Sequence, residues 1–320
     1  MSISTHLTVR QTYPEVPAVI QSGGGNAQLA YDEFFQATLS NAHTRRAYSR
    51  VVHRFLAWCQ TNAIELRQVT PGLAGTYLQG LEGSSPTKNQ ALAALRHFFD
   101  ALVLRHVVPL NAFASVRGQQ HRIIEGKTPE ISIDQARRLL RSINIGHVVG
   151  LRDRAVLGVL AYTGARIGAV AQLRLVDYRN MGDSRALRFK EKGGKEREIP
   201  VRHDLEHWLR DYLAAADITD ISRTTPFFRA AHGKQRRLTQ EAYSAHSMRR
   251  MLKRRLTDAG LPALFSPHSF RVAVVTDLLK QDVPLEDVQY LAGHSNPKTT
   301  QIYDRRRRRV TRNIVERISI

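Results

Sequence analysis

His268 and Arg271 stand three apart in a segment with helical patterning, so their side chains share one helix face. A second helix is expected over 285–291; it stops at Gly293, and His294 follows on a turn. Ser295 or Asn296 then caps a third helix with Pro297 at its first position, and that helix carries Tyr303 two turns in. Two histidines, an arginine and a tyrosine can therefore converge. A tyrosine hydroxyl has a pKa of about 10 and is a weak nucleophile at neutral pH, so it needs cationic neighbours and a proton acceptor. Guanidinium forks match the paired oxygens of a phosphoryl group, and the chemistry these residue types permit is metal-free phosphoryl transfer to the tyrosine. Taken singly, each side chain reads first as a packed or hydrogen-bonded core residue.

The combination is more specific. His268-x-x-Arg271, then Leu291-Ala292-Gly293-His294, then Tyr303 resembles the carboxyl-terminal half of the active site of the tyrosine recombinases, also called the phage integrase family. An independent third piece, Ala161-Tyr162-Thr163-Gly164-Ala165-Arg166, lies upstream where that family keeps its first arginine. The resemblance implies Tyr303 as the nucleophile, forming a 3′-phosphotyrosyl link and releasing a 5′-hydroxyl. It implies Arg166 and Arg271 on the nonbridging oxygens, His268 managing a proton, and His294 donating to the phosphate. Family members commonly carry a histidine directly after the second arginine, where this chain has Val272. They commonly carry a carboxylate three residues after the first arginine, where it has Ala169.

These residues need elements to hold them. At 320 residues the chain has room for about two domains, each with its own core. Lys and Arg number 48 against 28 Asp and Glu, a net charge of +20 that implies a polyanionic partner held by salt-sensitive contacts. Neither an apolar run long enough for a spanning helix nor a charged-then-apolar leader occurs, so no membrane partner is expected. Cys59 is the only cysteine; an internal disulfide and a cysteine-rich zinc site are excluded, and a reducing cytoplasm is the natural compartment. No acidic metal constellation and no Gly-x4-Gly-Lys-Ser/Thr loop appears, so neither a metal nor ATP is implied.

Residues 1–28 hold Pro14, Pro17 and the Gly23-Gly24-Gly25 run without apolar periodicity, and they are expected to be loosely ordered. Residues 29–112 read as a small helical domain. Its clearest helix, 41–60, has an apolar stripe of Ala47, Val51, Phe55 and Trp58 beside a basic face. Thr70-Pro71 and Ser85-Pro86 each give a cap and a first-position proline, starting helices that carry Leu73, Tyr77, Leu81 and then Leu92, Leu95, Phe99, Leu102 inward. A basic surface face is ordinarily just solvated. The resemblance, with a SAM-like core-binding domain in this place, makes Arg45, Arg46, Arg50 and Arg54 candidates for DNA phosphate contacts, and Lys88 and Arg96 weaker ones. Residues 113–129 lose periodicity and read as an exposed basic linker.

The second domain, 130–320, carries most of the charge excess. Ser132-Ile133-Asp134-Gln135 has the spacing of a capping box. Residues 151–162 form an apolar helix stopped at Thr163-Gly164, which throws Arg166 onto the next helix, where it could also cap carbonyls or pair with Asp153. Residues 186–189 and 197–201 read as strands of a hairpin around Lys192-Gly193-Gly194-Lys195. Strand alternation puts Lys190 and Lys192 on one face and does not choose between them. The family pattern chooses Lys192 as the lysine that protonates the leaving oxygen, with Lys195 as a DNA-binding neighbour. A helix is expected between Thr239 and Gly260, with Tyr243, Met248, Met251, Leu252 and Leu256 inward; Arg249, Arg250, Lys253 and Arg254 are candidate DNA contacts. The tail Val310–Ile320 places Ile314, Val315 and Ile318 on one helical face.

The fold expected is mainly α with a small β-hairpin or sheet: a helical core-binding domain followed by a mixed α+β catalytic domain. The function expected is a site-specific DNA recombinase or integrase working as a tetramer on paired double-stranded DNA sites in the prokaryotic nucleoid, with accessory DNA-bending proteins as compatible partners. A type IB topoisomerase-like enzyme and a non-catalytic DNA-binding protein are the alternatives.

Overall fold

The computed structural model describes residues 16–39, 41–120, 128–190, 194, 196–218, 222, 224–232, 236–294 and 296–302. Lys192, Lys195, Ser295, Tyr303 and the whole tail lie outside them. The chain divides into two compact units, 1–122 and 123–320.

In the first unit, α1 (Ala18–Ser22) and α2 (Gly25–Glu33) precede α3 (Ala42–Thr61), α4 (Pro71–Gly80) and α5 (Ser85–Leu104). The segment 18–28, expected to be loosely ordered, is therefore largely helical. The glycine run is the joint between two helices: Gly24 has φ 79°, and Val19, Ile20 and Ala27 are buried. The side chain of Asn41 accepts from the backbone N–H groups of His43 and Thr44, and Thr70 does the same for Leu73. At α5 it is Ser84 that occupies the capping position, one residue before the expected Ser85. The inward face of α3 is Val52, Phe55, Leu56 and Cys59, rotated from the expected stripe, so Ala47, Val51 and Trp58 are half-buried. Phe55, Phe99 and Phe113 meet edge to face with centroids 5.0–5.8 Å apart. Phe113 is wholly buried, so the chain at 112–113 belongs to this core and is not the start of an exposed linker.

The second unit is built on α7 (Val148–Thr163), packed between α9 (His203–Ala215) and α11 (Pro267–Lys280). Gly158 permits the closeness of α9, since a Cβ there would meet Trp208 at 2.8 Å and Leu205 at 2.9 Å. The expected capping box forms at Ser132 and opens α6 (Ile133–Arg141). After α8 (Ile167–Gln172), β1 (Tyr178–Asn180), β2 (Arg185–Lys190) and β3 (Glu196–Pro200) make an antiparallel sheet in that order, with Leu187 opposite Ile199 and Lys190 opposite Glu196. Its apolar side joins the core through Leu187, Phe189 and Ile199. The stretch expected as one helix from Thr239 is two elements. Residues of β5 (Leu238–Ala242) pair with β4 (Arg229–Ala231), and α10 (Ala245–Asp258) follows a Ser244 cap. The pairing with β4 holds 238–242 as a strand, and the 3.6 period begins only with the next segment. Asp153, fully buried on α7, receives Arg152 at 2.8 Å and Arg255 of α10 at 2.7 Å. Last come α12 (Leu285–Ala292) and α13 (Pro297–Gln301). Among the described residues no helix is long and apolar enough to cross a membrane.

Candidate active site

Two helix ends and one helix start make the site. Helix α7 stops because Gly164 takes the left-handed conformation (φ 58°), and α12 stops in the same way at Gly293 (φ 60°). At α12 the backbone N–H of His294 returns to Gln289 O at 3.1 Å, while the Gln289 amide donates to His294 O at 3.0 Å. The turn is thus held from both sides. Helix α11 starts at a Ser266–Ser269 capping box with Pro267 at its first position, which fixes where His268 and Arg271 emerge.

Arg271 is 1% exposed and reaches across both helix ends. Its Nη1 donates to Gly164 O at 2.7 Å, its Nη2 to Ala292 O, and its Nε to His294 Nε2 at 3.3 Å. Arg166, at the capping position of α8, is exposed and donates from Nη2 to Gly293 O at 3.3 Å. Carbonyls at helix C-termini carry partial negative charge, which steadies two guanidinium groups placed together. His294 is nearly buried, and its Nδ1 lies 2.9 Å from Thr300 Oγ1. An arginine N–H can only donate, so Nε2 of His294 is the acceptor there and the ring proton sits on Nδ1. Burial first, then Arg271, Arg166, His268 and Arg197, lower the His294 pKa to about 3. His268 is reached by solvent, yet the protein packed around its ring, with Arg271 and Arg166, lowers its pKa too. The His294 ring is therefore neutral at pH 7, and His268 is biased toward its neutral form.

The structure therefore brings together Arg166, His268, Arg271 and His294. Lys192 and Tyr303 lie outside the described residues, while Lys190, the other candidate on that face, is exposed at the end of β2. Asp153 is taken by other arginines, so Arg166 does not pair with it. Val272 and Ala169 are buried apolar residues: where the family commonly places a polar partner, this chain packs hydrocarbon. Three side chains here escaped the sequence reading. Arg197 on β3 is 5% exposed, its guanidinium 5.8 Å over Phe189 and its Nη1 3.5 Å from Tyr290 O. Strand alternation with the inward Ile199 is the signal that marks it. Thr300 and Gln289 both bond to His294 and carry no such signal, because a polar residue on a short helix reads as solvated. Among the described residues no group of three or more His, Cys, Asp or Glu could hold a metal.

The candidate DNA contacts divide. Arg46, Arg50 and Arg54 are exposed on α3. Arg45 instead donates to Leu39 O at 3.1 and 2.8 Å, and Arg96 to Phe113 O at 3.0 Å, so both are spent on the backbone of their own unit. Lys88 reaches Gln79 O at 3.1 Å. On α10, Arg249 and Arg250 are exposed; Arg254 is exposed and 3.3 Å from Asp153; Lys253 donates to Ala263 O and, at 2.8 Å, to Phe265 O.

Comparison with known proteins shows the family of both units. The phage integrase family model matches residues 130–309, and the phage integrase N-terminal SAM-like domain model matches residues 31–106. Tyrosine recombinase XerD of Pseudomonas putida is 30% identical over 270 residues, covering 82% of this chain and 86% of that protein. Tyrosine recombinase XerC of Chlamydia trachomatis serovar L2 is 28% identical over 221 residues, covering 69% and 67%. Among solved structures, XerH site-specific recombinase bound to palindromic difH substrate has a TM-score of 0.66 at 16% identity, covering 92% of this chain and 87% of that one. A lambda integrase dimer bound to a COC′ core site has a TM-score of 0.65 at 15% identity, covering 91% and 77%. Both share the fold.

Proposed function

The chain belongs to the phage integrase family, the tyrosine recombinases, and we propose that it cleaves and rejoins DNA at specific sites through a 3′-phosphotyrosyl intermediate on Tyr303. The observation that carries the reading is the convergence of Arg271, Arg166 and His294 on the turn at Gly293, with His268 near enough to feel both arginines. Tyr303 attacks the phosphorus, the P–O5′ bond breaks, and the 5′-oxygen takes a proton from Lys192. The arginines hold the nonbridging oxygens as charge gathers there. A neutral His268 can accept the phenolic proton. His294 keeps Nε2 unprotonated, accepting from Arg271 Nε, and an adjacent phosphate diester raises its pKa, so that the ring can donate once charged. Attack by a partner strand's 5′-hydroxyl reverses these steps and reseals the DNA. No net oxidation occurs, and the phosphodiester energy is kept in the tyrosyl link.

Strand exchange between two duplexes needs several protomers, and the reading is a tetramer. Support comes from a groove of about 720 Å³ between α6, α7, α9 and α11, lined by Ile131, Leu140, Ala161, Trp208 and Phe270, with Ile133 exposed at its edge. The apolar positions Ile314, Val315 and Ile318 of a neighbour's tail suit it. The test is to incubate the protein with a library of nicked random duplexes and recover DNA that stays attached in detergent. Wild type should yield an adduct mapping to Tyr303, and Tyr303→Phe should bind DNA equally but yield none. An adduct from Tyr303→Phe would reject the assignment, and exchanged products from two duplexes separate a recombinase from an enzyme that only relaxes DNA.

A further inference from the structure

Helix α13 has five described residues, too few to hold together without docking. Of its described side chains only Thr300 is fully buried; Pro297 and Gln301 are exposed. What α13 buries is thus a hydroxyl, and a buried hydroxyl requires a partner. That partner is His294 Nδ1, 2.9 Å away, on the same ring whose Nε2 receives Arg271 Nε. Thr300 stands three positions before Tyr303 in the sequence.

We propose that Thr300 is a positioning residue of the reaction: by accepting the Nδ1–H of His294 it fixes the ring with Nε2 toward Arg271, and it ties the segment leading to Tyr303 to the arginine cluster. This rests on the functional reading above and adds to it a physical link between nucleophile placement and imidazole orientation. When α13 is docked, the ring is locked in one tautomer. Without the Thr300 hydroxyl, Nδ1–H loses its acceptor and the ring can rotate.

Two readouts test it in the full-length protein. The first needs no DNA: nitrogen spectra of protein labelled in its histidine rings. Wild type and Thr300→Ser should show His294 protonated at Nδ1 and bare at Nε2, and Thr300→Val, equal in shape but without the hydroxyl, should lose that single pattern. A bare Nδ1 in wild type, or an unchanged pattern in Thr300→Val, overturns the proposal. The second is the rate of adduct formation on a nicked duplex. Thr300→Val should be slower by about 10- to 100-fold and Thr300→Ser close to wild type. In a His294→Ala background Thr300→Val should change the rate less than about twofold, since the two residues act as one unit. An equal loss in both backgrounds would make Thr300 a packing residue and overturn the proposal alone, whereas no adduct from wild type on any DNA overturns the functional reading and with it the catalytic half of this one.

Discussion

Arg271 donates from Nη1 to the carbonyl oxygen of Gly164, 2.7 Å away and 107 residues earlier in the chain. Gly164 precedes Arg166 by two residues, so the placement of one arginine is set by the other. The same guanidinium serves Ala292 and His294. A lysine carries its three donors on one nitrogen and cannot reach three acceptors set around a planar fork. Arg271→Lys should therefore abolish adduct formation and also lower stability, by about 1–3 kcal/mol for each carbonyl left unsatisfied. Arg166→Lys, on an exposed side chain, should lose activity with stability nearly intact. Urea unfolding of both variants checks this, and unchanged stability of Arg271→Lys would deny its structural half.

Stability should fall with acid in a defined window. His294 has its folded pKa lowered to about 3 by burial and by Arg271, against about 6.5 when unfolded. The unfolded chain takes up the proton first, so the contribution is complete above about pH 6.5 and drains away as pH falls toward 3. His268 is shifted in the same direction. Between pH 7.5 and 5, wild type should lose about 2 kcal/mol more than His294→Gln. Equal losses in the two proteins would place the proton elsewhere.

The arginines of the helical unit should sort by where they are spent. Arg46→Ala, Arg50→Ala and Arg54→Ala should weaken DNA binding and flatten its salt dependence by about one counterion each, with the fold undisturbed. Arg45→Ala and Arg96→Ala should instead lower the melting temperature, because each leaves backbone carbonyls without their donor. Titrations at several salt concentrations beside thermal scans decide the matter.

Lys192→Ala should slow cleavage of ordinary DNA by about 10²- to 10⁴-fold. Cleavage should recover on DNA whose bridging 5′-oxygen is sulfur, since a thiolate leaves without a proton. Lys190→Ala and Lys195→Ala should show equal, small defects on both substrates. Rescue of Lys195→Ala in its stead would move the acid within the turn.

Truncation after Arg309 should spare binding of one protomer to DNA and reduce cooperative binding of the next. Ile133→Glu, at the edge of the proposed acceptor groove, should do the same in the full-length chain. Gel-shift titrations with both variants giving wild-type cooperativity would reject tail exchange.

Much of the site was legible because its chemistry is local. His268 and Arg271 lie on one turn of α11, and a Gly-His after an apolar helix announces a left-handed stop. Thr70 and Ser132 declared their helices by side chains that bond their own backbone within three residues. What was not legible depends on contacts across the chain. The glycine run at 23–25 looked like slack and is a joint, because burial of Ile20 and Ala27 is decided by packing against distant residues. Phe113 sits in a stretch without periodicity and is claimed by Phe55 and Phe99. Residues 238–242 became a strand only because β4 offers them an edge. Arg45 and Arg96 carry the same charge as Arg46 and Arg50, and only the carbonyls within reach distinguish them.

The arginines of the candidate active site donate to main-chain oxygens at Gly164, Ala292 and Gly293, beside the bond from Arg271 to His294. An anchor of that kind has no side chain to mutate, so it persists through substitutions that would remove a carboxylate partner. Val272 and Ala169 can accordingly be hydrocarbon without releasing either guanidinium. For directed evolution toward a new target site, the residues to freeze are the two left-handed glycines that shape those turns. The exposed arginines of α3 and α10, the proposed DNA contacts, can be randomised while the backbone keeps the geometry of the cluster.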